Sequence, residues 1–216
     1  MATSEARRNQ PERLSALSHR SPVFGDDGLS MQEAAHLGKL ILRVDAASGE
    51  ETLARIMTDA SLPTQPCASA FSEKSAVSIL WLGPDEWMLV TEKDAESKLK
   101  AQLDEALAGQ HFQLSDVTDY YSCIDISGHR SREILMNLTT LDMHARGFSA
   151  GQVKGSIFGH ANAHVWQLHT DTGAPETFRL IVRASMADYL WCLMTRSALL
   201  HGIAEELPIS GEKLVV

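Results

Sequence analysis

The chain contains no CxxC pair. Its three cysteines, Cys67, Cys123 and Cys192, are odd in number and far apart, which excludes a zinc ribbon or a thioredoxin-like redox motif and offers no disulfide framework. Cys123 and Cys192 stand in apolar stretches, where a free thiol behaves as a small hydrophobe. Basic charge is also scarce: 19 lysines and arginines face 28 acids, a formal net charge of −9. Phosphate backbones repel such a chain unless it carries a basic stripe. The densest cluster, Arg7, Arg8, Arg13 and Arg20, lies in the N-terminal tail, which argues against nucleic acid as a partner. Long apolar runs are missing too. The greasiest stretch, FRLIVRASMADYLWCLM, is broken by Arg183 and Asp188 before it reaches the roughly 18 apolar residues a membrane span needs. The first residues lack the apolar segment of a secretory signal, and Glu5 and Glu12 argue against an organellar presequence. A cytoplasmic setting with no membrane contact is therefore expected. Finally, there is no GxGxxG, no GxxxxGK[ST] and no GxSxG, so no phosphate-cradling loop or nucleophile elbow is written in the chain.

What is present is apolar and periodic. With 216 residues and 44% apolar content, the chain can bury a sizeable core as one domain or two fused halves. Residues 1–30 show no periodicity and are expected to form a flexible N-terminal arm that orders only against a partner. The folded domain is expected over 31–216. LGKLILRV (37–44) reads as a strand and GEETLARIMTDA as a helix, with Leu53, Ile56 and Met57 at helical spacing. LWLGPDEWMLV (80–90) reads as a hairpin turned at Gly83-Pro84-Asp85-Glu86, where Pro84 pre-sets a type I turn. Both faces of its strands are apolar, as in a sheet covered on both sides. A helix capped by Asp94 and a strand at FQLSDVT complete a split βαβ pattern over about 37–118. Residues 119–206 repeat the pattern: a strand at YYSCIDIS, a turn at Gly128, a helix, a hairpin across Gly159–Asn162, a strand at FRLIVRA and a helix opened by Ser185 and Asp188 as a capping box. The fold class expected is α+β, built of two ferredoxin-like repeats.

Candidate sites are few. Asp85 and Glu86 are neighbours on a strand end and point to opposite faces, so they read as the wet tip of the hairpin, not as an acid–base dyad. His160, His164 and His169 flank the second hairpin, with His164 and His169 of opposite parity and no acid close by, a poor arrangement for a metal. Asp116, Asp119 and Asp125 surround the strand at 120–127. Asp125, on an inward position, would suit an amine or a pterin, against a reading as the cap of the turn at Gly128. One helix is apolar all round: Tyr189, Leu190, Trp191, Cys192, Leu193 and Met194. Such a helix is buried on every side, so either another segment of the chain folds over it or a partner protein does. Tyr189, Trp191 and Met194 are the candidate partner interface on that basis.

From about residue 18 to 206 the order and spacing of these stretches resemble the gamma subunits of heterotetrameric sarcosine oxidase. LGKLILRV, WLGPDEWMLV, DISGHRSREIL, LTTLDMHARGFSAGQ and FRLIVRASMADYLW carry the resemblance. It implies membership of the superfamily of the glycine-cleavage T protein and related folate-binding proteins, whose core holds two ferredoxin-like repeats. It further implies a complex that converts sarcosine to glycine and reduces oxygen to hydrogen peroxide. The methyl carbon leaves that complex as formaldehyde or 5,10-methylenetetrahydrofolate. Partners implied are an alpha subunit with NAD and tetrahydrofolate, a beta subunit with FAD and covalent FMN, and a delta subunit with zinc. This chain would carry no catalytic, cofactor or metal site of its own and would support assembly. The alternative is a stand-alone folate-binding protein related to the aminomethyltransferases. Relatives of that superfamily acting in iron–sulfur and tRNA maintenance carry KGCYxGQE. At 146–153 this chain keeps Gly151 and Gln152 but has Phe148 in the cysteine position and Val153 in that of the glutamate, so that thiol chemistry is absent.

Overall fold

A computed structural model of the chain describes residues 13–170 and 173–208. Two short strands, β1 (Val23–Phe24) and β2 (Ser30–Glu33), come first. They are followed by β3 (Gly38–Val44), α1 (Ala46–Ile56), β4 (Ser69–Ser72), β5 (Val77–Gly83), β6 (Glu86–Thr91), α2 (Glu96–Ala106) and β7 (Phe112–Asp116). The second half adds β8 (Tyr121–Ser127), α3 (Ser131–Met136), β9 (Val153–Phe158), β10 (Ala161–Gln167), β11 (Thr177–Arg183) and α4 (Ala184–Ser197). Two antiparallel sheets result, one in the order β4-β5-β6-β3-β7 and the other β1-β2-β8-β11-β10-β9.

The first sheet is the split βαβ unit the pattern predicts, with β4 added at one edge. The second has the same plan read from its other edge: β9 matches β4, β10 matches β5, β11 matches β6 and β8 matches β3. The strand matching β7, however, is β2, which precedes the whole first repeat. It pairs antiparallel with β8, Ser30 opposite Ser127 and Glu33 opposite Ile124. Gly128 allows the approach: its φ is +131°, and a Cβ there would lie 2.7 Å from Leu29 Cα. The second repeat is therefore not confined to 119–206, and its last strand is borrowed from the chain's start.

The expected flexible arm changes accordingly. Residues 1–12 lie outside the described residues, but 13–30 pack against the second half. Leu17 is 1% exposed and Leu29 and Met31 are buried beside Trp191, Leu190 and Ile126 in one core. The stretch has no period because it is a turn and two very short strands, too brief for either repeat to show. Two helix starts also differ from expectation. Asp94 adopts φ +62° and does not cap α2. Ser185 lies inside α4, whose N-cap is Arg183, and Asp188 binds His19 and Arg20. Asp45 does cap α1, accepting from Ser48 N at 3.2 Å.

Strand alternation sorts the apolar residues into layers. On β6, Trp87 and Leu89 join α1 and α2 in one core, whereas Met88 and Val90 meet Cys123, Trp166 and Ile181 of the other sheet. On β8 and β11, Ile124, Leu180 and Val182 face α3 and α4. The order of layers is helices, sheet, sheet, helices, so both sheets are covered twice, as their doubly apolar strands require. Buried Trp87 finds its polar partner in Pro63 O, to which Nε1 donates at 2.9 Å.

If 13–30 is core and not arm, Leu17→Ala will lower unfolding free energy by about 2–5 kcal/mol. Urea denaturation of the full chain checks this, and an unchanged midpoint would restore the flexible-arm expectation.

Candidate functional site

The space between the sheets holds two polar features. Asp125 on β8 stands directly opposite Arg179 on β11, and both share the inward parity of Cys123 and Ile181. Arg179 grips the carboxylate with two bonds, Nε to Oδ1 and Nη2 to Oδ2, each 2.7 Å. Its guanidinium also lies over the Trp166 ring, 5.9 Å from the centroid. Parallel charge-assisted bonds of this kind are short and strong. Asp125 is thus neither the cap of the Gly128 turn nor a free acceptor for an amine or pterin. The sequence hides this because residues 125 and 179 come together only when β8 and β11 pair.

The second feature is Lys39, near the start of β3. Its side chain is folded back so that Nζ donates to Leu37 O at 2.6 Å, and only 3% of the residue is exposed. Burial pulls its pKa below the ordinary lysine value; Arg13 and Arg179 add to that, and Cys123 and Asp119 oppose it. Burial likewise pushes the Cys123 thiol up, so this cysteine is not a poised nucleophile. Lys39 and Cys123 line an open cavity of about 330 Å³ bounded by the N-terminal stretch and the β2–β3 and β7–β8 connections. Sequence reading missed Lys39 as a site: within LGKLILRV it is one of two charged residues of a strand, the other being Arg43.

The other candidates disperse. Asp85 and Glu86 sit at the hairpin tip, where Asp85 meets the Arg43 guanidinium at 3.1 Å. His160 occupies the β9–β10 turn, its backbone N donating to Tyr189 Oη at 3.2 Å. His164 lies on β10 with its pKa lowered by burial, and the ring of His169 packs over Gly151. Among the described residues no three His, Cys, Asp or Glu side chains converge to hold a metal. Asp116 accepts from Thr118 N at 2.9 Å and Asp119 from Arg13 Nε at 3.0 Å. In the 146–153 segment Phe148 is core and Val153 starts β9 between the sheets. Gln152 Oε1 accepts from Ser149 N at 3.0 Å.

The candidate partner interface needs correction. Trp191 and Met194 are fully buried within this chain, and only Tyr189 keeps part of its surface. Residues 17–20 and 203–207 cover the helix. Leu17 and Ile203 pack on it, Glu206 accepts from Trp191 Nε1, and Arg20 ties Asp188 (2.8 Å) to Glu206 (3.2 Å) and Leu207 O (2.8 Å). Of the two covers the pattern allowed, the chain supplies its own. Exposed large apolar residues include Phe24 (73%) and Leu200 (94%), with Leu199 half-exposed. Gly25 abuts His201 and Asp26 abuts Gly202, which places Phe24 beside the Leu199–His201 turn.

Residues 43–199 match the family described as sarcosine oxidase, gamma subunit family. The chain belongs to that family. Curated relatives include the sarcosine oxidase subunit gamma of Corynebacterium sp. (strain U-96), 26% identical over 188 residues and 87% of each chain. That of an Arthrobacter species is 24% identical over 166 residues, covering 76% of this chain and 79% of the relative. Among solved structures, the heterotetrameric sarcosine oxidase of Corynebacterium sp. U-96 contains a chain that superposes with a TM-score of 0.76 at 23% identity, over 90% of this chain and 99% of that one. The glycine cleavage system aminomethyltransferase T of Bartonella henselae superposes at 0.56 with 12% identity, over 83% of this chain and 47% of that one. The family's fold is thus shared with an aminomethyltransferase, in line with the two-repeat core expected from the sequence. Among the described residues no helix is long and apolar enough to cross a membrane.

Two outcomes follow from the inter-sheet charges. Arg179→Met alone will destabilise the chain by about 3–5 kcal/mol by stranding Asp125, whereas Arg179→Met with Asp125→Leu will recover most of that loss in a double-mutant cycle. Equal losses in single and double variants would mean the pair does not act as a unit. For Lys39, the unfolded chain holds its proton up to the ordinary value, above the lowered folded one, so between the two pKa values the unfolded state binds more protons and stability rises with pH. A Lys39→Met variant will therefore exceed wild type at neutral pH, with the gap narrowing toward about pH 10. Urea melts across that range check the trend, and a gap independent of pH would contradict it.

Proposed function

We propose that this chain acts as the gamma subunit of a heterotetrameric sarcosine oxidase and contributes structure and docking surface, with no active site of its own. The match of residues 43–199 to the gamma subunit family carries the reading. The alpha, beta and delta subunits are its partners in this reading, in the cytoplasm. They carry NAD and tetrahydrofolate, FAD and FMN, and zinc respectively, and together they convert sarcosine to glycine. The residues of this chain support such a division. Asp125 and Arg179 are committed to each other, and Phe148 fills the position of the motif cysteine with a core side chain.

With Trp191 and Met194 removed from consideration, the apolar area at Phe24, Leu199 and Leu200 is the docking face for a large subunit. Leu200 is almost entirely exposed, and apolar area of this kind, lying outside the three cores, gains only when a second protein covers it.

Leu200→Glu and Phe24→Glu will leave the chain's stability within about 0.5 kcal/mol of wild type while reducing its co-purification with the flavin-bearing chains, measured by the visible flavin spectrum of a tagged pull-down. Undiminished flavin recovery would remove this face. A pull-down of the wild-type chain that brings no flavin would remove the subunit reading itself. Saturable heat on titrating the isolated chain with tetrahydrofolate would favour the stand-alone folate-binding alternative.

A further inference from the structure

Lys39 is a cation set between two sheets without a counter-charge. Among the described residues its ammonium has one hydrogen bond, to the Leu37 carbonyl, and it takes part in no ion pair. Retiring an ammonium from water in this way is unfavourable unless an anion joins it. The surrounding acids are otherwise engaged: Asp119 accepts from Arg13, and Glu33 accepts from the Ser15 hydroxyl at 2.5 Å. A ledger of the cavity's formal charges therefore pairs Arg13 with Asp119 and leaves Lys39 and Glu33, the latter held by a neutral donor.

The cavity that Lys39 lines is about 330 Å³, at the lower end of the range for small-molecule pockets. Its walls come from separate parts of the chain: Arg13 and Ser15 from the N-terminal stretch, Glu33 from β2, His36 from the β2–β3 connection and Cys123 from β8. His36 adopts φ +60°, a conformation uncommon for a non-glycine residue. We propose that this cavity binds a small carboxylate, whose oxygens supply the missing counter-charge at Lys39 Nζ. A monoanion fits better than a phosphate dianion, because one cation without an ion-pair partner is available and the Glu33 carboxylate on the cavity wall disfavours each added negative charge. The inference is independent of the assembly role: it concerns a ligand of this chain's own cavity and would hold or fail whether or not the subunit reading does.

The test is calorimetric titration of the full chain with sodium acetate at fixed ionic strength, with sodium chloride as the control. Wild type is expected to give saturable heat with acetate and none with chloride. Burial holds the Lys39 pKa below the ordinary lysine value, with Arg13 and Arg179 lowering it further and Cys123 and Asp119 opposing them, so binding at a pH between the lowered value and the ordinary one, about 10.4, will take up protons. The heat will then differ between buffers of different ionisation enthalpy. Lys39→Met should weaken acetate binding by about tenfold or more, as expected for loss of a hydrogen bond to a charged group. Absence of saturable heat, or undiminished binding by Lys39→Met, overturns the proposal. Should that variant fail to fold, the melting temperature of wild type decides: acetate must raise it above chloride at equal ionic strength, and equal effects of the two anions overturn the proposal.

Discussion

The pairing of β2 with β8 is the contact on which the rest of the molecule depends. Without it β8 would be an edge strand, with backbone donors and acceptors open along one side. The helix layer above would also lose Leu17, Leu29 and Met31. The strand that closes this edge comes from upstream of the first repeat, so the chain must cross from one sheet to the other between residues 33 and 38. Three consequences follow from that crossing. It brings the N-terminal stretch onto α4, where Arg20 gathers Asp188 and Glu206. It closes the second repeat on the same plan as the first. And it roofs the cavity in which Lys39 is held.

The two interfaces of each sheet are used differently. The helix-facing sides are packed by aliphatic and aromatic residues throughout. The sheet-facing sides mix Leu80, Met88 and Ile181 with a lysine and a guanidinium–carboxylate pair. A buried pair of this kind contributes little net stability compared with apolar residues of the same shape, because both charges must leave water. Its bonds are directional, though, and Arg179 can meet Asp125 in this geometry only when β8 and β11 pair with residues 125 and 179 opposite each other. A slip of one residue would turn either side chain toward the helices. The fold is shared with an aminomethyltransferase, and Phe148 and Val153 are given over to packing.

Much of the architecture was legible in local pattern. The hairpin at Gly83-Pro84-Asp85-Glu86, the doubly apolar strands around it and the first split βαβ unit follow from turn chemistry and from a period of two. The order and spacing of stretches such as WLGPDEWMLV and FRLIVRASMADYLW also resemble the gamma subunit family. The candidate site was barely legible. The residues around Lys39 read only as a strand, and Asp125 reads as a turn residue.

Which faces are greasy, where the chain turns and which family it belongs to are all written in residues a few positions apart. The tertiary structure alone decided what covers each face. The all-round apolar helix at 189–194 demanded a cover, but its composition is the same whether that cover is another subunit or residues 17 and 203 of the same chain. Arg179 finds Asp125 across 54 residues, and β2 finds β8 across a whole intervening repeat. Contacts at such separations are selected by the packing of the complete core, and no short stretch of residues encodes them.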